Sequence, residues 1–406
     1  MNILICMYPF PFLRTQGQTL RVYYIAKHLA RKHRLFLLGI YKDNLPKNSL
    51  IFKTEGIFEE VFEIKIKRKK FIEILNLFTP RYSTKLEFPI AKKKLYSLIS
   101  QILKKHKIDI LHVNGFPLLD LLLADFKGIP KVLDLCDSPY LFYKREIENT
   151  TQIIVKFIKF FKILLIKSIE KYLIKNYDAI TLISHMDAFF SSKLAKGYFE
   201  IIPNGVDTEY FKPIFSIEEE FPSIIFFGAM SFKPNIDAVL FFHKEIFPKI
   251  KKIFPDIRFY IIGRDPVDEI LNLKQDKNVI VTGTVDDIRP FILKANVVVV
   301  PMRMGSGMKN KILEAMALQK PIVCTSLAAE SLDKECQKVL FIGDTPEEFA
   351  NKTIMLLRNE KKRKEVGFKA RKLVKKFYSW EKSAEKYCEL YKKLMSKNFY
   401  IKNKTI

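Results

Sequence analysis

The sequence predicts two doubly wound parallel-sheet α/β domains. Strand-like apolar runs alternate with amphipathic helical stretches along the whole chain, which is the pattern of parallel strands covered by helices on both faces. The alternation breaks once, across a stretch rich in Pro, Gly, Asn and Asp, and then restarts. The 406 residues suit two domains at roughly 100–200 residues each.

In order, "NILICMY" reads as a strand, "LRVYYIAKHLARK" as a helix and "RLFLLGIY" as a strand. "PIAKKKLYSLISQILKKH" is helical, "DILHVNG" and "KVLDLCD" are strands, a long helix is expected from about Thr151 to Tyr177, and "AITLIS" is a strand. The stretch "EIIPNGVDTEYFKP", residues 200–213, has neither period and marks the boundary. Beyond it come "SIIFFGA", the helix "IDAVLFFHKEIFPKIKKIF", "IRFYIIG", "NVIVTGTV" and "VVVVP". A final helix, "SWEKSAEKYCELYKKLM", puts Trp380, Ala384, Tyr387, Leu390, Tyr391 and Leu394 on one stripe. The expected division is 1–200, 201–378, a helix over 379–395 crossing back to the first domain, and a loose tail over 396–406.

Composition narrows the class. A hydrophobic fraction of 48% and a charged fraction of 28% fit a soluble globular protein. The 5 cysteines are scattered without a C-x-x-C pair, so neither a disulfide framework nor a zinc site is implied, and a cytoplasmic protein is expected. No basic segment precedes the first apolar run, and no uncharged apolar run reaches the about 18 residues of a spanning helix. The net charge of +26 leans toward the first half and suits an anionic partner.

Chemistry concentrates at the ends of strands in the second half. "ANVVVV" is followed by "PMRMGSGMKNKILEAMA", a loop with Gly305 and Gly307 running into a helix. Glycine lets backbone approach a ligand closely, and a helix start presents unpaired N–H groups, so the pair makes a phosphate site. Met308 opens the expected helix, Lys309 and Lys311 add charge, and Glu314, an acceptor-only group, suits a ribose diol. Neither the Walker A spacing nor G-x-G-x-x-G is present. Gly228 in "FGAMSFKPN", with Lys233 just beyond it, Gly263 and Arg264 in "IIGRDP", and Gly283 in "VTGTV" stand at three further strand ends. One ligand along that edge, a nucleoside diphosphate derivative, accounts for all four.

In the order and spacing of "IIPNGVDTEYFKP", "FFGAMSFKPNIDA", "FYIIGRDP", the segment from "VIVTGTVDD" to "PIVCT" and "SWEKSAEKYCELY", the sequence resembles the retaining glycosyltransferases of the GT-B fold, family 4 (group 1). The resemblance is strong over about residues 200–395 and looser before. It implies two Rossmann-like domains facing a cleft and a UDP- or GDP-sugar donor held mainly by the second domain. It implies no cofactor and no metal, and a glycan or lipid-linked acceptor of cell-surface polysaccharide, lipopolysaccharide or glycolipid assembly. Glu314 matches the second Glu of the family's E-x7-E motif, which holds the ribose. Ser306 stands where the first would be, so Ser306 or the N–H groups from Gly307 to Lys309 must make that sugar contact. Of the usual Arg and Lys for the diphosphate, the first position is Ala229 and the second Lys233; Arg264, Arg303 or Lys309 are the substitutes. Gly17, with Arg21 opening the helix, matches the first loop. Asp137, in the place of a common His, is the candidate beside the transferred sugar, with His112 second.

The helix "TQIIVKFIKFFKILLIKSIEKYLIK" sets lysines against an Ile, Phe and Leu side. It reads either as a domain helix buried on its apolar side or as an interfacial helix on anionic membrane, and the cluster of Lys65, Lys67, Arg68, Lys69 and Lys70 adds to the second reading. The alternatives to a transferase are a sugar-nucleotide epimerase or phosphorylase, an inactive nucleotide-sugar-binding relative, and a basic nucleic-acid-binding protein, for which no recognition helix or aromatic platform is visible.

Overall fold

A computed structural model describes residues 1–8, 17–41, 56–65, 89–115, 118–148 and 152–396. Most of the first loop, Lys67 to Lys70, and the tail from 397 lie outside the described residues. The chain forms two compact units: Met1–Pro203 with Trp380–Ile406, and Asn204–Ser379.

Unit 1 runs β1 (Asn2–Met7), α1 (Gly17–Leu29), β2 (Arg34–Tyr41), β3 (Glu60–Lys65), α2 (Pro89–His106), β4 (Ile110–Asn114), α3 (Leu118–Ala124), β5 (Lys131–Cys136), α4 (Pro139–Glu148), α5 (Ile153–Asn176), β6 (Ala179–Leu182), α6 (His185–Ser192) and β7 (Phe199–Ile201). Its parallel sheet has the order β3-β2-β1-β4-β5-β6-β7. Successive strand residues point to opposite faces. Leu4 and Cys6 therefore pack with Ile99 of α2 and Leu173 of α5, while Ile3, Ile5 and Met7 pack with Val22 of α1 on the other face.

Unit 2 runs β8 (Ser223–Phe227), α7 (Lys233–Phe241), β9 (Arg258–Ile262), β10 (Val279–Gly283), α8 (Arg289–Lys294), β11 (Val297–Val300), α9 (Asn310–Ala317), β12 (Ile322–Cys324), β13 (Phe341–Ile342), α10 (Pro346–Arg358) and α11 (Glu360–Phe377). Its sheet order is β10-β9-β8-β11-β12-β13. The long helix expected over "IDAVLFFHKEIFPKIKKIF" is interrupted by a π-helical turn at Phe242–Ile246. Pro248 follows it, and a proline has no N–H to continue the α-helical ladder.

The last helix, α12 (Trp380–Met395), belongs to unit 1. All six residues of its expected stripe are buried, and Trp380 stacks on Tyr24 of α1 with ring centroids 5.3 Å apart. Beneath α12 lies a polar knot. Arg21, 1% exposed, pairs with Asp134 of β5 at 2.9 Å and donates to Ile202 O at 2.9 Å and Tyr387 Oη at 3.0 Å. Thr181 donates to Asp134 at 3.0 Å, and His112 Nδ1 meets Tyr391 Oη at 2.6 Å. Burial works against an Asp134 carboxylate, yet the Arg21 charge and the hydrogen bond with His112 hold it well below the usual range. Two expectations change here. Arg21, expected to open the helix, is the fifth residue of α1, which begins at Gly17, and is sealed in the core. His112, 2% exposed, is a core group bonded to α12.

Breaking this knot strands a buried charge. Arg21→Met is expected to lower unfolding free energy by about 3–5 kcal/mol, and Tyr387→Phe by about 1 kcal/mol, both read from urea denaturation. A near-neutral Arg21→Met contradicts the assignment.

Candidate functional site at the carboxyl edge of the second sheet

The order of unit 2 reverses direction between β8 and β11, since successive strands are added first on one side of β8 and then on the other. Ligands of open α/β sheets collect outside the carboxyl ends of strands at such a switch point. The loops leaving β8 and β11 both stand there.

The β8 and β9 turns touch through backbone. A Cβ on Gly263 (φ +156°) would lie 1.7 Å from Gly228 O, so that position admits only glycine. Met230 N donates to Arg264 O at 2.8 Å, which locks the two turns together. On the other side of the switch point, Gly305 (φ +101°) packs on Pro234 in the first turn of α7: its missing Cβ would be 3.7 Å from Pro234 Cγ. Gly307 also takes a positive φ of 70°.

Between these loops lie unmet polar groups. Among the described residues, the backbone N–H groups of Ser306, Gly307 and Met308 have no acceptor, and the Ser306 hydroxyl is enclosed without a partner. α9 begins two residues later and adds its own unpaired N–H groups and positive dipole end. Glu314, half-buried in the second turn of α9, receives no hydrogen bond at its carboxylate from any described residue. Burial pushes its carboxyl up to about 7 despite the nearby Lys311 charge. Lys311 is its counterpart: burial brings its ammonium down to about 7. Lys311 Nζ lies 3.8 Å from the Phe226 ring centroid and donates to Asn235 Oδ1 at 2.8 Å, while Asn235 Nδ2 donates to Ala229 O at 2.9 Å. This chain of contacts brings the ammonium within 3.3 Å of the space a Cβ on Gly228 would fill.

The expected site residues separate accordingly. Gly228, Gly263, Gly305, Ser306, Gly307, Met308 and Glu314 gather at the β8, β9 and β11 ends, and Lys233 is exposed at the start of α7. Gly283 (φ +77°) ends β10, the sheet's outer strand, with nothing within 4 Å of its missing Cβ. The substitute cations each have a partner. Arg303 pairs with Asp237 and lies over Phe241 at 4.2 Å, Lys309 donates to Ser306 O and Gly307 O at 2.6 and 2.8 Å, and Arg264 lies 3.8 Å from Asp265. Lys311 reaches the β8 turn beside Ala229 through Asn235. Asn235 was not singled out from sequence; its signal is a lone amide in the first turn of α7. Asp287 is bound to Arg289 of α8 at 2.7 Å, as a helix-start acid.

In unit 1, Gly17 is the first residue of α1. Asp137 is half-buried just past β5, after Cys136, whose φ of +63° is strained for a residue with a side chain. Two acids at 0% exposure brace that turn: Glu170 accepts from Ser138 Oγ at 2.9 Å and Tyr140 N at 2.8 Å, and Asp187 accepts from Ser138 N at 2.9 Å. Among the described residues, no group of His, Cys, Asp and Glu is arranged to hold a metal ion.

Residues 221–359 match the family model described as Glycosyl transferases group 1. The second unit carries a glycosyltransferase domain. The switch-point loops, α9 and Glu314 all lie inside the matched segment. Over 315 residues the chain is 25% identical to an uncharacterized glycosyltransferase of Methanocaldococcus jannaschii, covering 74% of this chain and 79% of that one. Over 361 residues it is 22% identical to an uncharacterized 44.6 kDa protein in the cps region of Klebsiella pneumoniae, covering 86% and 89%. In structure it is similar to sucrose-phosphate synthase from Thermosynechococcus elongatus, with a TM-score of 0.70 at 16% identity over 97% of this chain and 98% of that one. It is also similar to Anabaena HepE in complex with UDP and glucose, with a TM-score of 0.64 at 13% identity over 96% and 98%. Two parallel-sheet α/β domains of the GT-B type are thus the fold.

The glycines of this domain separate by cause. Gly263→Ala must push the β8 turn away and is expected to cost at least about 3 kcal/mol, whereas Gly283→Ala meets only backbone strain, about 1–2 kcal/mol. Denaturant unfolding distinguishes them, and equal losses contradict the backbone contact.

Proposed function

We propose that the protein is a retaining glycosyltransferase that moves a sugar from a UDP- or GDP-sugar onto a glycan or lipid-linked acceptor in cell-surface polysaccharide, lipopolysaccharide or glycolipid assembly. The observation that carries this reading is the set of three N–H groups at Ser306, Gly307 and Met308, without acceptors among the described residues, just before the helix that carries Glu314, whose carboxylate has no donor among them. A diphosphate meets the N–H groups and the start of α9, and the ribose hydroxyls meet Glu314. The Ser306 hydroxyl serves the sugar, and Lys233 and Lys311 oppose the charge of the diphosphate.

In the transfer, the bond between the anomeric carbon and the diphosphate oxygen breaks as the bond to the acceptor oxygen forms on the same face. The acceptor's proton passes to the departing diphosphate. Charge develops on that diphosphate, and fixed N–H groups and cations are most effective where charge develops. Asp137 is the proposed polar group on the acceptor side. Two relatives support the setting without deciding it: the Klebsiella pneumoniae protein encoded in a cps region and HepE in complex with UDP and glucose.

The test is calorimetry with UDP, GDP and a DNA duplex. UDP or GDP is expected to bind and DNA is not. Glu314→Gln should weaken nucleotide binding by about 1.5–3 kcal/mol. The sign with pH follows from the two titrating groups. Below about 7 Glu314 takes up a proton and loses acceptor capacity, and above about 7 Lys311 loses its charge. Affinity should therefore peak near neutrality as a coupled profile, with Glu314→Gln removing the acid limb and Lys311→Met the alkaline limb. A Glu314→Gln protein that binds nucleotide as the wild type does would falsify the ribose role.

A further inference from the structure

The longest described helix of unit 1, α5, wears the apolar side of its first turns outward. In the first three turns of α5, Ile153, Ile154, Phe157, Ile158, Phe160 and Phe161 are exposed, from 85% at Ile153 to 49% at Phe161, and Leu164 extends the stripe. The lysines expected on the solvent side point the other way: Lys159 pairs with Glu146 of α4 at 3.0 Å, and Lys162 lies over the Tyr143 ring at 4.3 Å. Only from Ile166 onward does α5 bury apolar residues, with Ile169, Leu173 and Ile174 in the core. At roughly 100° per residue the exposed apolar side chains cover about a 160° arc. Monomeric proteins rarely leave a contiguous patch of this kind uncovered.

Charge identifies what covers it. Every exposed charge on α5 is positive: Lys156, Lys167, Lys171 and Lys175. Its sole carboxylate, Glu170, is 0% exposed. Lys171 and Lys175 fall on the same arc as the apolar residues, with Lys167 at its margin, so a single outward face is apolar at its amino end and basic at its carboxyl end. An apolar protein partner would satisfy the first part alone. An anionic bilayer satisfies both, because acyl chains and phosphates lie a few ångströms apart in depth. Among the described residues no helix is long and apolar enough to cross a membrane.

We infer that α5 is a tilted membrane-docking helix, its first three turns inserted among acyl chains of an anionic bilayer and its Lys167, Lys171 and Lys175 end resting on lipid phosphates. The inference stands on unit 1 alone and is independent of the nucleotide site. It gives unit 1 a lipid surface as its partner, which is the place where a lipid-linked acceptor resides.

The experiment uses the full chain with vesicles of phosphatidylcholine and of phosphatidylcholine mixed with phosphatidylglycerol. Sedimentation is expected with the anionic vesicles and not with the neutral ones. Ile154→Ser/Phe157→Ser/Phe161→Ser and, separately, Lys167→Glu/Lys171→Glu/Lys175→Glu should each lower that partition by more than about tenfold. All these side chains are exposed, so melting temperature and nucleotide affinity should stay at wild-type values. Depth is read by Phe157→Trp and Lys175→Trp with brominated acyl chains, against the buried native Trp380: the first is expected to be quenched and the second not. Equal binding to both vesicle types overturns the charge argument, and equal quenching overturns the tilt. A dimer that the triple-serine variant dissociates, with no vesicle binding by the wild type, replaces the bilayer with a second copy of the chain and overturns the proposal.

Discussion

Two glycine backbones in contact organise the edge of the second sheet. With no side chain at Gly263, the β9 turn reaches the carbonyl of Gly228, and the hydrogen bond from Met230 N to Arg264 O closes the contact. That closure fixes the start of α7, hence Pro234 and Asn235. Pro234 supports Gly305 from one side, and Asn235 holds Lys311 from the other. The loop after β11 thus takes its shape from contacts with two earlier strands. Gly305 and Gly307 both take a positive φ, and the N–H groups from Ser306 to Met308 are left without acceptors among the described residues.

The two units treat buried charge in opposite ways. In unit 1 the Arg21 and Asp134 pair is saturated by Thr181, Tyr387 and the Ile202 carbonyl, and it ties α12 across α1 and three strands. Such a group has nothing left to offer a ligand, and its role is to hold elements together. In unit 2 the Glu314 carboxylate has no donor among the described residues, and its neighbour Lys311 has one amide. Burial without satisfaction brings both to about 7. A carboxylate left without a donor costs folding free energy, and its place at a topological switch point makes this edge the candidate site.

Most of the fold was legible in the sequence because apolar periodicity reports burial directly. The strands β1, β2, β4 to β6 and β8 to β11, the alternation, the restart after residue 213 and the buried stripe of α12 all rest on that signal, while β3, β7 and β13 were not read. The π-helical turn before Pro248 was not read, since its apolar pattern continues unbroken through Phe242, Ile246 and Phe247. The glycine and Glu314 edge was legible because four successive strands end in glycine-bearing loops and α9 carries a single acid. What failed was pairing. Arg21, Asp134 and His112 lie far apart in sequence, and nothing local says that they meet in the core. The same limit hid Lys311 behind Lys309: two lysines in one turn look alike until one is seen to bond its own loop and the other to reach Asn235. On α5 the lysines and apolar residues were plain, but which side faces outward depends on α4, and only tertiary structure decides it.

The account turns on where a nucleotide sits, and a crystal structure of the protein soaked with UDP or GDP measures that directly. The diphosphate is expected within hydrogen-bond distance of the N–H groups of Ser306, Gly307 and Met308, with the ribose hydroxyls on Glu314 and the Lys311 ammonium turned toward phosphate. A nucleotide found instead at the amino edge of the same sheet, in the roughly 750 Å³ cavity lined by Glu219, Lys320 and Arg363, would contradict it.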